Sequence, residues 1–210
     1  YEVTATGFPR HDMLASRRPR AKTVLIAPDW LRDISQDSGE NPLTQFPFKA
    51  TDIAEYRAFW AQVMKDPALR DLKSEHKLNL HAVVGRKLGA DPMLHSLAQK
   101  VVVFEPGDDP QIICDAVQRA DLVVTDQPSV AFDAAYLTRQ TLLCRQESGG
   151  IALPLPEQIL QSESLADLVS RIGDHYRVDA KTGQTHRPKD YFLRDSSCAS
   201  ERVVVALQKL

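Results

Sequence analysis

"VVTDQPSVAFDAAYL", residues 123–137, joins two apolar patterns at one polar corner. The left half belongs to "DLVVT" (Asp121–Thr125), a short β-branched run that reads as a buried strand. The right half, "PSVAFDAAYL" (Pro128–Leu137), has helical spacing and begins with a proline, which suits the first position of a helix. A strand running straight into a helix is the unit from which parallel α/β sheets are built. The corner itself holds Asp126, Gln127, Pro128 and Ser129.

The same alternation extends outward. "TVLIAP" (Thr23–Pro28), "LNLHAVV" (Leu78–Val84), "KVVVFEP" (Lys100–Pro106) and "QTLLCR" (Gln140–Arg145) read as strands. Between them, "DIAEYRAFWAQVMKD" (Asp52–Asp66) carries apolar residues at Ile53, Tyr56, Phe59, Trp60 and Met64, which is helix spacing. "DPMLHSLAQ" and "DPQIICDAVQRA" each open with an Asp cap and a proline, at Asp91–Pro92 and Asp109–Pro110. "SLADLVSRIGDHY" and "SCASERVVVALQKL" read as closing helices. Strands apolar on both faces, alternating with helices, mean a parallel sheet covered on both sides. We therefore expect one α/β domain over 1–210, a Rossmann-like doubly wound parallel sheet. Its sheet core is expected over about residues 20–150, with a helical tail over 151–210. Residues 32–50 carry "DSGENP" and "FPF" and read as a long loop.

Bulk composition excludes several classes. The 210 residues are 43% hydrophobic and 26% charged, with a formal net charge of −2, so no nucleic-acid partner is implied by charge. "RRPRAK" (Arg17–Lys22) reads as a solvated loop, with a phosphate or lipid-headgroup patch as the alternative. Three scattered cysteines make neither a disulfide framework nor a zinc spacing, which fits a reducing, cytoplasmic setting. No window approaches the length of apolar sequence that a transmembrane helix needs. The chain opens on "YEVTATGFPRHD" without a Met or a signal-peptide pattern, and we expect a fragment.

Chemistry-bearing residues converge on the corner. In a covered parallel sheet, ligands sit outside the carboxyl ends of the strands. There the first N–H groups of a helix and the positive end of its dipole suit an anion. Ser129 adds a hydroxyl donor, whereas Asp126 suits loop N–H groups or a ligand hydroxyl. Asp and Ser are also ordinary N-caps, so the same residues fit a plain strand-to-helix turn. Asp133 lies one turn beyond Ser129 on the same helical face. His81, inside "LNLHAVV", is expected near a strand end at the same edge of the sheet. His76 and His81 have no third ligand, so no metal is expected; His95, His175 and His186 read as surface residues. There is no G-x-G-x-x-G and no G-x-S-x-G, which argues against a dinucleotide fingerprint and a serine-hydrolase elbow.

Five segments in order resemble the CDP-glycerol glycerophosphotransferases, the teichoic-acid and capsule polymerase group. They are "TGFPRHDML" (Thr6–Leu14), "VLIAPDWLRD" (Val24–Asp33), "LNLHAVV", "ADLVVTDQPSVAFDAAYL" (Ala120–Leu137) and "YFLRDSSCASERVV" (Tyr191–Val204). The resemblance implies the C-terminal, nucleotide-binding half of a GT-B fold, with an N-terminal half lying outside this chain. It implies transfer of glycerol-phosphate or a similar polyol-phosphate from a CDP-linked donor to a growing cell-surface polymer. It implies no cofactor, no metal, a polymer or lipid-linked acceptor, and a place at the cytoplasmic face of the membrane. His81 falls on the family's "HP" histidine, close to the donor phosphates, and is the implied catalytic residue. Asp126, Gln127 and Ser129 fall within its "DYSS" motif, and Arg32 and Arg10 on the arginines of "PTwRd" and "PR", as donor-phosphate ligands. Here that motif is "DQPS": Gln127 stands for the tyrosine and Pro128 for the first serine, which removes one hydroxyl and one N–H donor. Alanine at 82 and aspartate at 29 are further departures. Without its other half the chain is expected to bind donor and not to turn over. Two alternatives are a GT-B glycosyltransferase using a nucleotide sugar, and a non-catalytic interaction domain of the same fold.

Overall fold

The computed structural model describes residues 11–12, 14, 19–28, 50–105, 107–144, 155–162, 164–177, 200 and 204. Six strands form one sheet: β1 (Thr23–Ala27), β2 (Asn79–Val84), β3 (Lys100–Val103), β4 (Leu122–Thr125), β5 (Gln140–Cys144) and β6 (Ile159–Ser162). Every pairing is parallel, and the order is β3-β2-β1-β4-β5-β6. That is the strand order of a Rossmann-like doubly wound fold. β1 lies between β2 and β4, and all five of its residues are buried, which is why its sequence is an unbroken apolar run after Thr23.

The described helices are α1 (Ala50–Lys65), α2 (Pro67–His76), α3 (Arg86–Gly89), α4 (Pro92–Leu97), α5 (Gln111–Arg119), α6 (Pro128–Tyr136) and α7 (Leu165–Arg177). They divide between the two faces according to the two-residue alternation of the strands. Val24, Ile26, Leu80, Leu122 and Val124 meet Trp60, Leu69, Leu97 and Leu168, so α1, α2, α4 and α7 cover one face. Leu25, Ala27, Val83 and Val123 meet Val117, Ala131 and Ala134, so α5 and α6 cover the other.

Local chemistry explains where the helices begin. Asp66 caps α2, its Oδ1 accepting from the N–H groups of Ala68 at 2.7 Å and Leu69 at 3.3 Å, with Pro67 following. Asp91 does the same for α4, accepting from Met93 N–H at 2.8 Å. Lys77 ends α2 in the left-handed region, at φ 55°, so the chain turns at once into β2. The α2 helix, with the same Asp-Pro opening as α4, is an addition to the sequence reading.

The sheet is longer than expected. β6 lies within the stretch read as a helical tail, pairs with β5 from Thr141↔Ile159 to Cys144↔Ser162, and carries the sheet to Ser162. Its four residues, "ILQS", are too few and too polar to stand out as a strand; the neighbouring strand supplies the hydrogen bonds that define it. The closing helix α7 is present, while the second one expected, around "SCASERVVVALQKL", lies mostly outside the described residues.

Candidate functional site

The strand order reverses between β1 and β4. The chain leaving β1 returns through α1 on one face, and the chain leaving β4 enters α6 on the other. A crevice at the carboxyl ends of two such diverging strands is where doubly wound folds take ligands. Its floor is a side-chain lock. Thr125, fully buried, donates from Oγ1 to the Ala27 carbonyl at 2.7 Å and accepts from Gln127 N–H at 3.0 Å. One hydroxyl thus ties the end of β1 to the end of β4 and bends the chain toward α6.

The corner residues lie together at this rim. Asp126 and Gln127 are half-buried, and Pro128 and Ser129 are exposed. Asp126 Oδ2 accepts from the indole Nε1 of Trp60 at 3.5 Å. Gln127, extended at φ −91° and ψ 114°, occupies the position before α6, and its side chain makes no cap hydrogen bond to this helix. In this α6 resembles the short α3, which follows Gly85, and differs from α2 and α4, each closed by an aspartate. The first N–H groups of a helix have no partner within it. At α6 they meet no capping carboxylate among the described residues, and the exposed Ser129 stands at the same end. Such an end favours an anion by roughly 0.3–1 kcal/mol from the dipole alone, before any direct hydrogen bond.

Cys144 closes the neighbouring strand, since Leu143 pairs with Thr125 in register. It is buried, and burial, reinforced by the Asp126 charge, pushes its thiol far above the ordinary value. It is therefore a packing group and not a nucleophile.

One sequence expectation needs correction. His81 does not stand at this rim. It pairs in register with Leu25, and Leu25 pairs with Val123, two residues short of Thr125, which puts it about 7 Å below the carboxyl end. β2 runs on through Ala82, Val83 and Val84, because these three are apolar and the sheet buries them. The ring of His81 faces a cavity beside α5 instead. Asp133, one turn beyond exposed Ser129, is buried against the domain and meets His11 Nε2 at 3.4 Å, with His11 stacked on Tyr136 at 4.1 Å. It holds His11 to α6 and does not reach the crevice. Arg10 and Arg32 lie outside the described residues.

Sequence reasoning missed Trp60 and Thr125 as site-building groups. A signal was present for Trp60: a tryptophan buried on a helix needs a partner for its indole N–H. His175, read as a surface residue, is half-buried and approaches Asp121 at 3.8 Å. Among the described residues, no group of three His, Cys, Asp or Glu side chains could hold a metal ion, and no helix is long and apolar enough to cross a membrane.

Fold and rim together define a Rossmann-like α/β protein with a helix N-terminus at its topological switch point. No protein-family model matches the chain, and no curated protein matches it.

Proposed function

We propose that this chain is the nucleotide-binding half of a GT-B transferase, and that the N-terminus of α6 takes the diphosphate of a CDP-linked polyol donor. The reading rests on one observation above all: α6 begins at the switch point with no capping carboxylate among the described residues and with Ser129 exposed. The ordered resemblance of five segments to the CDP-glycerol glycerophosphotransferases supports the donor class.

In this reading the chemistry is phosphoryl transfer. An acceptor hydroxyl attacks the phosphorus that bears the polyol, the bond from that phosphorus to the CMP oxygen breaks, and CMP leaves. The amides of Ser129 and Val130 and the Ser129 hydroxyl stabilise charge on the phosphates. Asp126, steadied by Trp60, receives a hydroxyl of the donor. His81, below the rim, takes no part in this step. The base and the acceptor groove belong to a partner half, at the cytoplasmic face of the membrane.

Calorimetric titration of the chain with CDP-glycerol, CDP-ribitol and UDP-sugars tests the proposal. Saturable binding of a CDP-polyol, abolished by Ser129→Glu in a folded chain, is the expected result. Binding of a UDP-sugar alone would favour a glycosyltransferase. A folded chain that binds none of them would favour the non-catalytic reading, for which the position of His81 away from the rim already speaks.

A further inference from the structure

A second cavity opens on the α5 face of the sheet, toward the amino ends of the strands and away from the crevice. It measures about 240 Å³ and lies between β2, β3 and α5. Val102 and Ile112 supply apolar wall, and His81, Lys100, Asp115 and Arg119 supply the polar groups. A volume of about 150 Å³ holds a benzene ring, and drug-sized ligands need roughly 300–1,000 Å³, so this cavity suits a ring-sized body with one charged group.

Its charge is one-sided. Arg20, from the basic cluster at 17–22, is held beside the end of α5 by its N–H, which donates to the Arg119 carbonyl at 3.0 Å. Lys100 and Arg119 line the cavity with His81, the charge of Arg20 also reaches the ring, and Asp115 is the opposing charge. Asp115 is already engaged: its Oδ1 accepts from Gln111 at 2.9 Å and its Oδ2 from Arg119 at 3.4 Å. Lys100 is exposed at the start of the edge strand, and its side chain makes no hydrogen bond or ion pair among the described residues. Burial first, and then the charges of Lys100, Arg20 and Arg119, lower the pKa of His81, so its ring is neutral at pH 7 and offers one donor and one acceptor. Two lining cations against one carboxylate, which Arg119 already offsets, leave Lys100 as an unbalanced positive charge beside a neutral imidazole.

We propose that this cavity binds a small organic anion, a phosphate monoester or carboxylate on a ring-sized apolar body. Lys100 and Arg119 hold the anionic group, His81 donates to it, and Val102 and Ile112 cover the apolar part. The site is independent of the crevice at α6.

The test is NMR titration of the chain with phenyl phosphate, following the ring C–H resonance of His81, assigned by its loss in His81→Gln. Saturable movement of that resonance with a Kd near 1 mM or tighter is expected, together with a rise in the His81 titration midpoint, because a bound anion favours the imidazolium. Lys100→Gln, at an exposed position, should weaken binding at least fivefold while leaving the spectrum folded. Benzyl alcohol, with the same ring and no charge, should bind at least tenfold more weakly. No saturation up to about 10 mM, equal binding of benzyl alcohol, unchanged affinity in Lys100→Gln, or movement of the Ser129 amide without that of His81 would each overturn the proposal.

Discussion

The indole Nε1 of Trp60 lies 3.5 Å from Asp126 Oδ2, so the helix covering one face of the sheet touches the loop that leaves on the other. Trp60 is fully buried and anchors the apolar cluster under α1. The same side chain that packs the core thus also orients the acid at the rim.

Replacing it separates the two roles. Trp60→Phe keeps one aromatic ring but removes the N–H and part of the buried indole's volume; a cost of about 1–2 kcal/mol is expected, of which a single hydrogen bond is worth about 1 kcal/mol and lost packing the rest. Trp60→Ala also empties the core and should cost about 3–5 kcal/mol. Urea unfolding measures both. A Trp60→Phe cost near zero would mean that the indole N–H contributes nothing.

Thr125→Val keeps the shape of a fully buried side chain and removes the hydroxyl that joins Ala27 and Gln127. A loss of about 1–3 kcal/mol is expected, because a buried donor and acceptor lose their partner. Unfolding by denaturant reads the stability. A value near zero would show that the rim is held by backbone pairing alone.

Changes at the helix start should move binding and spare the fold. Ser129 is exposed, so Ser129→Ala should change stability by no more than about 0.5 kcal/mol. Its affinity for CDP-glycerol should fall about fivefold, the value of one neutral hydrogen bond. Pro128→Ser adds an N–H and a hydroxyl and should tighten binding. Calorimetry decides, and affinity unchanged in both variants would remove the α6 terminus from the donor site.

Asp121 predicts a pH dependence. Burial alone would raise its carboxyl, but the hydrogen bond and charge of His175, the Lys22 N–H and the Tyr176 hydroxyl outweigh burial and hold it below the ordinary value. A depressed carboxyl stabilises the fold above its unfolded pKa of about 3.9, and that contribution disappears as pH falls through the lower, folded value. Asp121→Asn should therefore lose about 1 kcal/mol at pH 7, solvent access keeping the figure small. The gap from the parent chain should close below about pH 4. Parallel melts at pH 7 and in acid test this; a gap that persists in acid would show that ionisation is not its source.

Much of the fold was legible along the chain. "TVLIA" and "DLVVT" are apolar on both faces, and only the middle of a covered sheet buries both faces of a strand. Asp91–Pro92 marked the start of α4 because cap and proline act within a few residues of each other. Asp66–Pro67 carried the same mark for α2 and was passed over. β6 was not legible, since four residues of mixed polarity become a strand only by pairing with β5.

The site divides in the same way. The polar corner at 126–129 could be placed at a strand-to-helix turn from its own residues, because strand propensity, proline geometry and helical spacing are local properties. The sheet order, which sets β4 beside β1 and opens a crevice there, is a matter of long-range pairing. So are the reach of Trp60 to Asp126, the bond from Thr125 to Ala27, and the register that leaves His81 below the rim in a cavity with Lys100 and Arg119. Neighbouring residues determine which element forms. Only the packing of distant elements decides which side chains meet.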